Sequence, residues 1–212
     1  MLLKKERNKI VEYGLKLKEK NLVKLTGGNL SIYNRKENLI AISPSGVPYE
    51  DIKTEDIVII DPVGEIVEGK KKPSTEYRIH TRIYKNLKEV NAVVHTHPTY
   101  STTISCMKEE IPPIHYLVAY AGKKVPCAKY ASFGTKQLAK NTLKALGKKY
   151  KAVLLANHGL VTIGKDIKEA LTINEVIEYV AELYYRTKAC NNPKPLSRKQ
   201  IKDAVNRIED YK

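Results

Sequence analysis

The stretch Ala92-Val93-Val94-His95-Thr96-His97-Pro98 constrains this chain more than any other. Small and β-branched residues run without interruption into His-x-His, and a proline closes the run. Such a run reads as a buried strand, and proline cannot extend a hydrogen-bonded ladder, so the two histidines stand where the strand leaves a sheet. In extended backbone, residues i and i+2 project to the same side, which lets His95 and His97 aim both imidazoles at one point. A divalent transition metal, zinc most often, is held in this way. Taken alone, the pair is equally two unrelated strand-end histidines, and the rest of the chain has to decide.

His158 decides in favour of the metal. It follows the apolar run Ala152-Val153-Leu154-Leu155-Ala156 and precedes Gly159, so it too stands at a strand end. Three such histidines, in a chain with five in all, match a catalytic zinc site, which keeps three protein ligands and an open position. Cys106, Cys127 and Cys190 are far apart and lack Cys-x-x-Cys spacing. That argues against a disulfide framework and against a cysteine-based site. His80 and His115 read as ordinary surface or core histidines, although His80 stands four residues after Glu76, one helical turn away.

The remaining segments predict a mixed sheet with helices on its faces. Leu3 to Lys20 is an amphipathic helix with apolar positions from Ile10 to Leu17. Strands are expected at Leu30–Tyr33, Leu39–Ile42, Asp56–Asp61, Val125–Tyr130, Ala152–Ala156 and Leu160–Gly164. Helices are expected from Pro73-Ser74-Thr75-Glu76 to about Leu87, with Ser74 or Thr75 as cap, then at Thr99–Met107 and Gly134–Leu146. A long helix capped by Asp166 runs to about Cys190, and the tail 191–212 opens on Asn-Asn-Pro-Lys-Pro before a short basic helix. At 212 residues, with 42% hydrophobic and 29% charged residues, residues 1–212 read as one globular domain.

The turn Gly27-Gly28-Asn29, the loop Ser43-Pro44-Ser45-Gly46 and the pair Ser74-Thr75 have the chemistry of a phosphate cradle. Amide N–H groups in tight turns and at a helix start attract anions, and hydroxyls add donors. Singly, each also reads as a plain turn or cap. No Walker loop and no Gly-x-Gly-x-x-Gly motif is present, so a nucleotide is not indicated. The net charge of +15 would permit nucleic-acid binding. However, the lysines come in short scattered groups such as Lys70–Lys72, Lys123–Lys124 and Lys148–Lys149, with no aromatic interleaving. A basic surface that attracts a phosphorylated small molecule is the simpler account. No apolar run is long enough to span a membrane and the N-terminus carries no signal-peptide pattern, so a cytoplasmic protein is expected.

Together, Thr26-Gly27-Gly28-Asn29-Leu30-Ser31, Ser43-Pro44-Ser45-Gly46, Pro73-Ser74-Thr75-Glu76, His95-Thr96-His97-Pro98 and Asn157-His158-Gly159 resemble, in order and spacing, the class II, zinc-dependent sugar-phosphate aldolase and epimerase family. The resemblance covers roughly residues 1 to 190. It implies a three-layer α/β/α domain with a mixed, mostly antiparallel central sheet, assembled as a homotetramer with sites at subunit interfaces. It implies one Zn2+ per subunit on His95, His97 and His158, with Glu76 as resting fourth ligand and acid–base group. Gly28, Asn29, Ser45, Gly46, Ser74 and Thr75 would hold the substrate phosphate. Tyr116, in a stretch similar to one that reaches a neighbouring subunit's site, would be a proton donor, and the tail 191–212 an interface segment.

Family members similar to this chain carry Glu at position 76 when they are aldolases and usually Asp when they are epimerases. The resemblance therefore implies an aldolase splitting a fuculose-1-phosphate-like ketose 1-phosphate into dihydroxyacetone phosphate and a short aldehyde such as lactaldehyde. A ribulose-5-phosphate 4-epimerase or a methylthioribulose-1-phosphate dehydratase is the enzymatic alternative. The alternative of another class is a basic nucleic-acid-binding or scaffold domain with a structural metal.

Overall fold

A strand at the centre of a covered sheet must be apolar on both faces, and β5 (Ala92–Thr96) has all five of its residues buried. The structure, a computed structural model, describes residues 1–211. On one side of β5 lies β1 (Asn29–Asn34), followed outward by β2 (Leu39–Ile42), β3 (Val58–Ile60) and β4 (Ile66–Glu68). On the other lies β8 (Gly159–Gly164), followed by β7 (Ala152–Leu155) and β6 (Cys127–Ala128). The eight strands form one sheet, in which β6 and β7 alone pair in parallel. Their connection is a crossover through α4 (Lys136–Leu146), since parallel neighbours cannot be joined by a tight hairpin.

Successive side chains of β5 feed opposite layers. Val93 joins Val153 and Val161 beneath α2 (Tyr77–Asn86) and α4, meeting Ile79, Ile83 and Leu138. Ala92 and Val94 face the other way, onto Ile10 and Leu17 of α1 (Lys4–Glu19) and Ile167 and Ala170 of α5 (Ile167–Ala189). On that same side α3 (Thr99–Cys106) contributes Ile104, which packs with Ile173 and Ile177 against Leu154 and Leu160. The final helix, α6 (Arg198–Tyr211), adds Ile201 and Ile208 to this cluster. The chain is therefore the expected three-layer α/β/α fold around a mixed, mostly antiparallel sheet. Among the described residues, no helix is long and apolar enough to cross a membrane.

Several elements depart from expectation for local reasons. The helix α1 buries Arg7, Ile10, Gly14 and Leu17, a three–four–three stripe, whereas Leu15 faces solvent. Arg7, 1% exposed, escaped notice as a charged residue on a charged helix. Its guanidinium donates to the carbonyls of Thr54 and Ile57 and pairs with Glu68 at 2.7 Å, which ties α1 to the sheet edge. The sequence does not reveal β4, because Ile66 and Val67 are exposed and the strand is three residues long. The strand expected at Val125–Tyr130 shrinks to two residues. Helix α2 begins at Tyr77 with Glu76 at its N-cap and no side-chain cap bond, so neither Ser74 nor Thr75 caps it. Instead the Ser74 hydroxyl accepts from the Glu76 amide at 3.3 Å, a tight serine turn that leaves the Glu76 carboxylate for other use. Asp166 does cap α5, accepting from the Glu169 amide at 2.8 Å.

Candidate active site

His95 stands in the last turn of pleat of β5, His97 follows just after it, and His158 sits in the turn between β7 and β8. That turn is held against the C-terminal end of α3, where the Ser105 carbonyl accepts from Asn157 at 3.0 Å and its hydroxyl accepts from the His158 amide at 3.3 Å. Gly159 lets the turn close: a Cβ there would lie 2.3 Å from the Thr96 carbonyl oxygen and 2.7 Å from His97. Gly28, at φ +79, plays the same part on the opposite flank, where a Cβ would lie 2.7 Å from the His95 carbonyl oxygen.

Three imidazoles converge as a result. Nε2 of His95 is 3.1 Å from Nε2 of His97 and 3.2 Å from Nε2 of His158. Nδ1 of His95 lies 2.9 Å from the Leu160 carbonyl oxygen, so that nitrogen carries a proton and Nε2 is the one left to face a cation. Glu76 closes the group: its Oε2 is 3.1 Å from His95 Nε2 and its Oε1 3.4 Å from His158 Nε2. Oε1 is buried and finds no hydrogen-bond partner among the described residues.

Facing lone pairs repel unless a proton or a cation lies between them. Burial works against charge on His95, yet the neighbouring Glu76 carboxylate raises its pKa. Burial, then the His95 charge, pushes His97 down to about 3 and His158 down to about 4. Burial also opposes ionisation of Glu76, but His95 and, after it, His158 and Asn29 hold its carboxyl below the usual carboxylate range. Two neutral imidazoles, a third oriented by a carbonyl and an ionised carboxylate make a donor set for a divalent cation. Ligands about 2.05 Å from a tetrahedral zinc are separated by roughly 3.3 Å, close to the spacings around His95. The residues present fit a metal.

The same residues border a cavity of about 490 Å³. Gly28, Asn29, Ser45, Gly46, Ser74 and Thr75 all line it, together with Glu76, His97 and His158. Two backbone bonds draw the serine loops together, from Ser45 to the Lys72 carbonyl at 3.0 Å and from Ser74 to the Ser43 carbonyl at 3.1 Å. Asn29 has both ends of its side-chain amide engaged, donating to Glu76 Oε2 at 3.0 Å and meeting His80 Nε2 at 2.6 Å. Its amide group therefore serves the carboxylate, which the anticipated phosphate role did not foresee. Tyr116 is not brought to this cavity. It is 54% exposed and borders a separate hollow with Leu196, Ala204 and Ile208 beside α6. His115 accepts from the Leu117 amide and stacks on Tyr116.

Sequence reasoning missed the opposite wall, made by Tyr130, Ala131 and Phe133. The sequence offered only a faint signal there, the chain's one phenylalanine beside the turn-forming Gly134; its 72% exposure shows only in the fold.

Known proteins resemble this chain along nearly its whole length. Residues 8–185 match the family described as Class II Aldolase and Adducin N-terminal domain. A 5-deoxy-D-ribulose 1-phosphate aldolase from Bacillus thuringiensis serovar kurstaki is 46% identical over 211 residues, spanning 100% of this chain and 99% of its own. An L-fuculose phosphate aldolase from Escherichia coli strain K12 is 38% identical over 212 residues, 97% of each chain. A solved L-fuculose 1-phosphate aldolase superposes with a TM-score of 0.94 at 39% identity, covering 97% of this chain and 96% of that one.

Proposed function

The chain belongs to the class II aldolase family and is itself a metal-dependent aldolase, and from that premise we propose that it cleaves a terminally deoxygenated ketose 1-phosphate. The products are dihydroxyacetone phosphate and a short methyl-ended aldehyde: acetaldehyde from 5-deoxyribulose 1-phosphate, or lactaldehyde from fuculose 1-phosphate. The observation that carries this reading is the convergence of three imidazoles and an unpartnered Glu76 oxygen on the cavity that the serine loops line. The relatives named above act on these two deoxyketose phosphates, and the Tyr130–Phe133 wall suits a methyl end better than a hydroxyl or a second phosphate.

In this reading His95, His97 and His158 hold one zinc ion, with Glu76 beside them. When bound, the ion supplies Lewis-acid stabilisation of the negative charge that builds on the C2 oxygen as the bond breaks. The hydroxyls of Ser45, Ser74 and Thr75, with the backbone at Gly28 and Gly46, grip the phosphate and fix the distance of C3 and C4 from Glu76. In synthesis the ionised Glu76 removes a proton from C3 of dihydroxyacetone phosphate, C3 bonds to the aldehyde carbon, and Tyr116 of an adjacent subunit gives its phenol proton to the aldehyde oxygen that becomes the C4 hydroxyl. Cleavage is the reverse, starting from protonated Glu76 and the Tyr116 phenolate. A cytoplasmic homotetramer with sites between subunits supplies the tyrosine, and Tyr116's exposure supports that arrangement.

Zinc-reconstituted protein incubated with 5-deoxyribulose 1-phosphate, fuculose 1-phosphate, ribulose 5-phosphate and methylthioribulose 1-phosphate tests the proposal. Release of dihydroxyacetone phosphate from either of the first two is expected. Epimerisation of the third, dehydration of the fourth, or no turnover of any would overturn it.

A further inference from the structure

Behind Glu76 lies a row of buried polar side chains that starts at Asn29 on the cavity wall and runs on through residues that the proposed reaction does not use. Helix α2 points His80 and Tyr84, four residues apart, at strand β1, which answers with Asn29 and Ser31, two apart on one face. None of the four is more than 3% exposed. Their contacts are continuous: Glu76 Oε2 to Asn29 Nδ2 at 3.0 Å, Asn29 Oδ1 to His80 Nε2 at 2.6 Å, His80 Nδ1 to Ser31 Oγ at 2.6 Å, and Ser31 Oγ to the Tyr84 hydroxyl at 2.7 Å.

Donor and acceptor counting gives this row a direction. An ionised carboxylate accepts only, so Asn29 must turn its NH2 toward Glu76 and its oxygen toward His80. That oxygen requires a proton on His80 Nε2. Burial, and after it the charge of His95, lowers the His80 pKa to about 3. The ring is therefore neutral, and its Nδ1 must accept from the Ser31 hydroxyl. The Tyr84 hydroxyl, which burial keeps protonated, has one proton, faced by the Ser31 carbonyl oxygen at 3.0 Å and by Ser31 Oγ at 2.7 Å. From Ser31 through His80 and Asn29 every proton thus points toward Glu76, and aligned hydrogen bonds strengthen one another in a buried setting.

We infer that His80 is a positioning residue for the proposed cleavage: through Asn29 it fixes which oxygen of Glu76 is tied to the protein and which is left for the proton at C3. Oε2 is held by the row, and Oε1 is the oxygen without a hydrogen bond. Ser31 acts one step further back by fixing the His80 tautomer, and Tyr84, bonded to the Ser31 carbonyl, holds Ser31 in place. The inference rests on the aldolase reading and on Glu76 as its base.

Two measurements test it. In metal-free, 15N-histidine-labelled protein, His80 should be the neutral Nε2–H tautomer with a slowly exchanging ring proton; the Nδ1–H tautomer or an imidazolium would overturn the inference. In zinc-reconstituted protein, exchange of the C3 proton of dihydroxyacetone phosphate with deuterated water reads Glu76 without needing an aldehyde or Tyr116. His80→Leu should slow this exchange and kcat by about 10–100-fold with KM unchanged. His80→Gln, which keeps an N–H donor facing Asn29, should recover most of the loss. Ser31→Ala, a small truncation that keeps the fold if His80→Leu does not, should also slow exchange. Wild-type exchange in folded His80→Leu or in Ser31→Ala, or equal losses in the Leu and Gln variants, would refute a positioning role while leaving the aldolase reading intact. Absence of exchange in the wild-type protein would instead overturn that reading, and this inference with it.

Discussion

Replacing Gly159 by alanine places a methyl group in the one space that the histidine cluster cannot give up. The new Cβ would lie 2.3 Å from the Thr96 carbonyl oxygen, 2.7 Å from His97 and 3.4 Å from the His95 ring. Gly159 cannot retreat, because it pairs with Leu155 in the β7–β8 ladder and the next residue, Leu160, pairs with Thr96. Relief must come from the Thr96 peptide, which has to move by about 1 Å to reach ordinary contact. That peptide joins His95 to His97, so the displacement is passed to both imidazoles. Overpacking of this kind costs about 1–3 kcal/mol of stability, while a misplacement of ~1 Å at reacting groups costs on the order of 100-fold in rate, or about 2.7 kcal/mol in the barrier. Gly159→Ala should therefore fold with a modestly lowered melting temperature, bind zinc less tightly in competition with a chelator, and lose roughly two decades of kcat/KM. A variant that binds zinc with wild-type affinity and turns over at the wild-type rate would show that the crowding around Thr96 does not set the ligand geometry.

Other perturbations separate the parts of the site. Glu76→Gln should still bind zinc through the three histidines, yet lose about 10²–10⁴-fold in kcat and all exchange of the dihydroxyacetone phosphate C3 proton; undiminished exchange would remove Glu76 from its role. Complete chelation should abolish cleavage and lower the melting temperature by about 5–10 °C relative to protein with zinc at ~100 times its dissociation constant, and added zinc should restore both. Activity that survives chelation would refute metal dependence. Tyr49 carries a buried hydroxyl with no partner among the described residues, and burial raises its pKa. Tyr49→Phe should then be neutral or stabilising by up to ~1 kcal/mol in urea unfolding. Because the raised pKa favours the neutral form in the folded state, the stability it confers is present below the unfolded value near 10 and falls as pH rises above it. The Phe variant should lose less stability than wild type above about pH 10, and an identical alkaline profile would count against the desolvation account.

The centre of the fold was legible because β5 is buried on both faces, so its sequence is an uninterrupted apolar run, and because two residues of extended chain return to the same side. His158 was legible for a related reason, since β7 is another such run. Illegibility followed exposure and length. The edge strand β4 shows apolar side chains to solvent, and β6 pairs through two residues. His80 illustrates a subtler failure. Helical spacing set it beside Glu76, but Glu76 lies outside the helix, and the connection runs instead through Asn29 on a strand some distance away in the chain. Nothing in a linear sequence distinguishes an asparagine that faces an anion from one whose amide is already shared between a carboxylate and an imidazole. Tyr116 shows the limit of one chain, because its expected role needs a second subunit.

The position of His95 in the sheet has a consequence for how the molecule comes into being. Its register partners are Asn29 on one side and Val161 on the other, drawn from opposite ends of the chain. The long loop between His97 and His158 must close before the three imidazoles meet, and that entropy is spent late, on non-local pairings that form slowly. A nascent or half-folded chain offers only the His95–His97 pair, a weak and mobile chelate. An ion held by all three histidines would therefore not template folding from the disordered state. It would recognise finished molecules and withhold its stabilisation from unfinished ones.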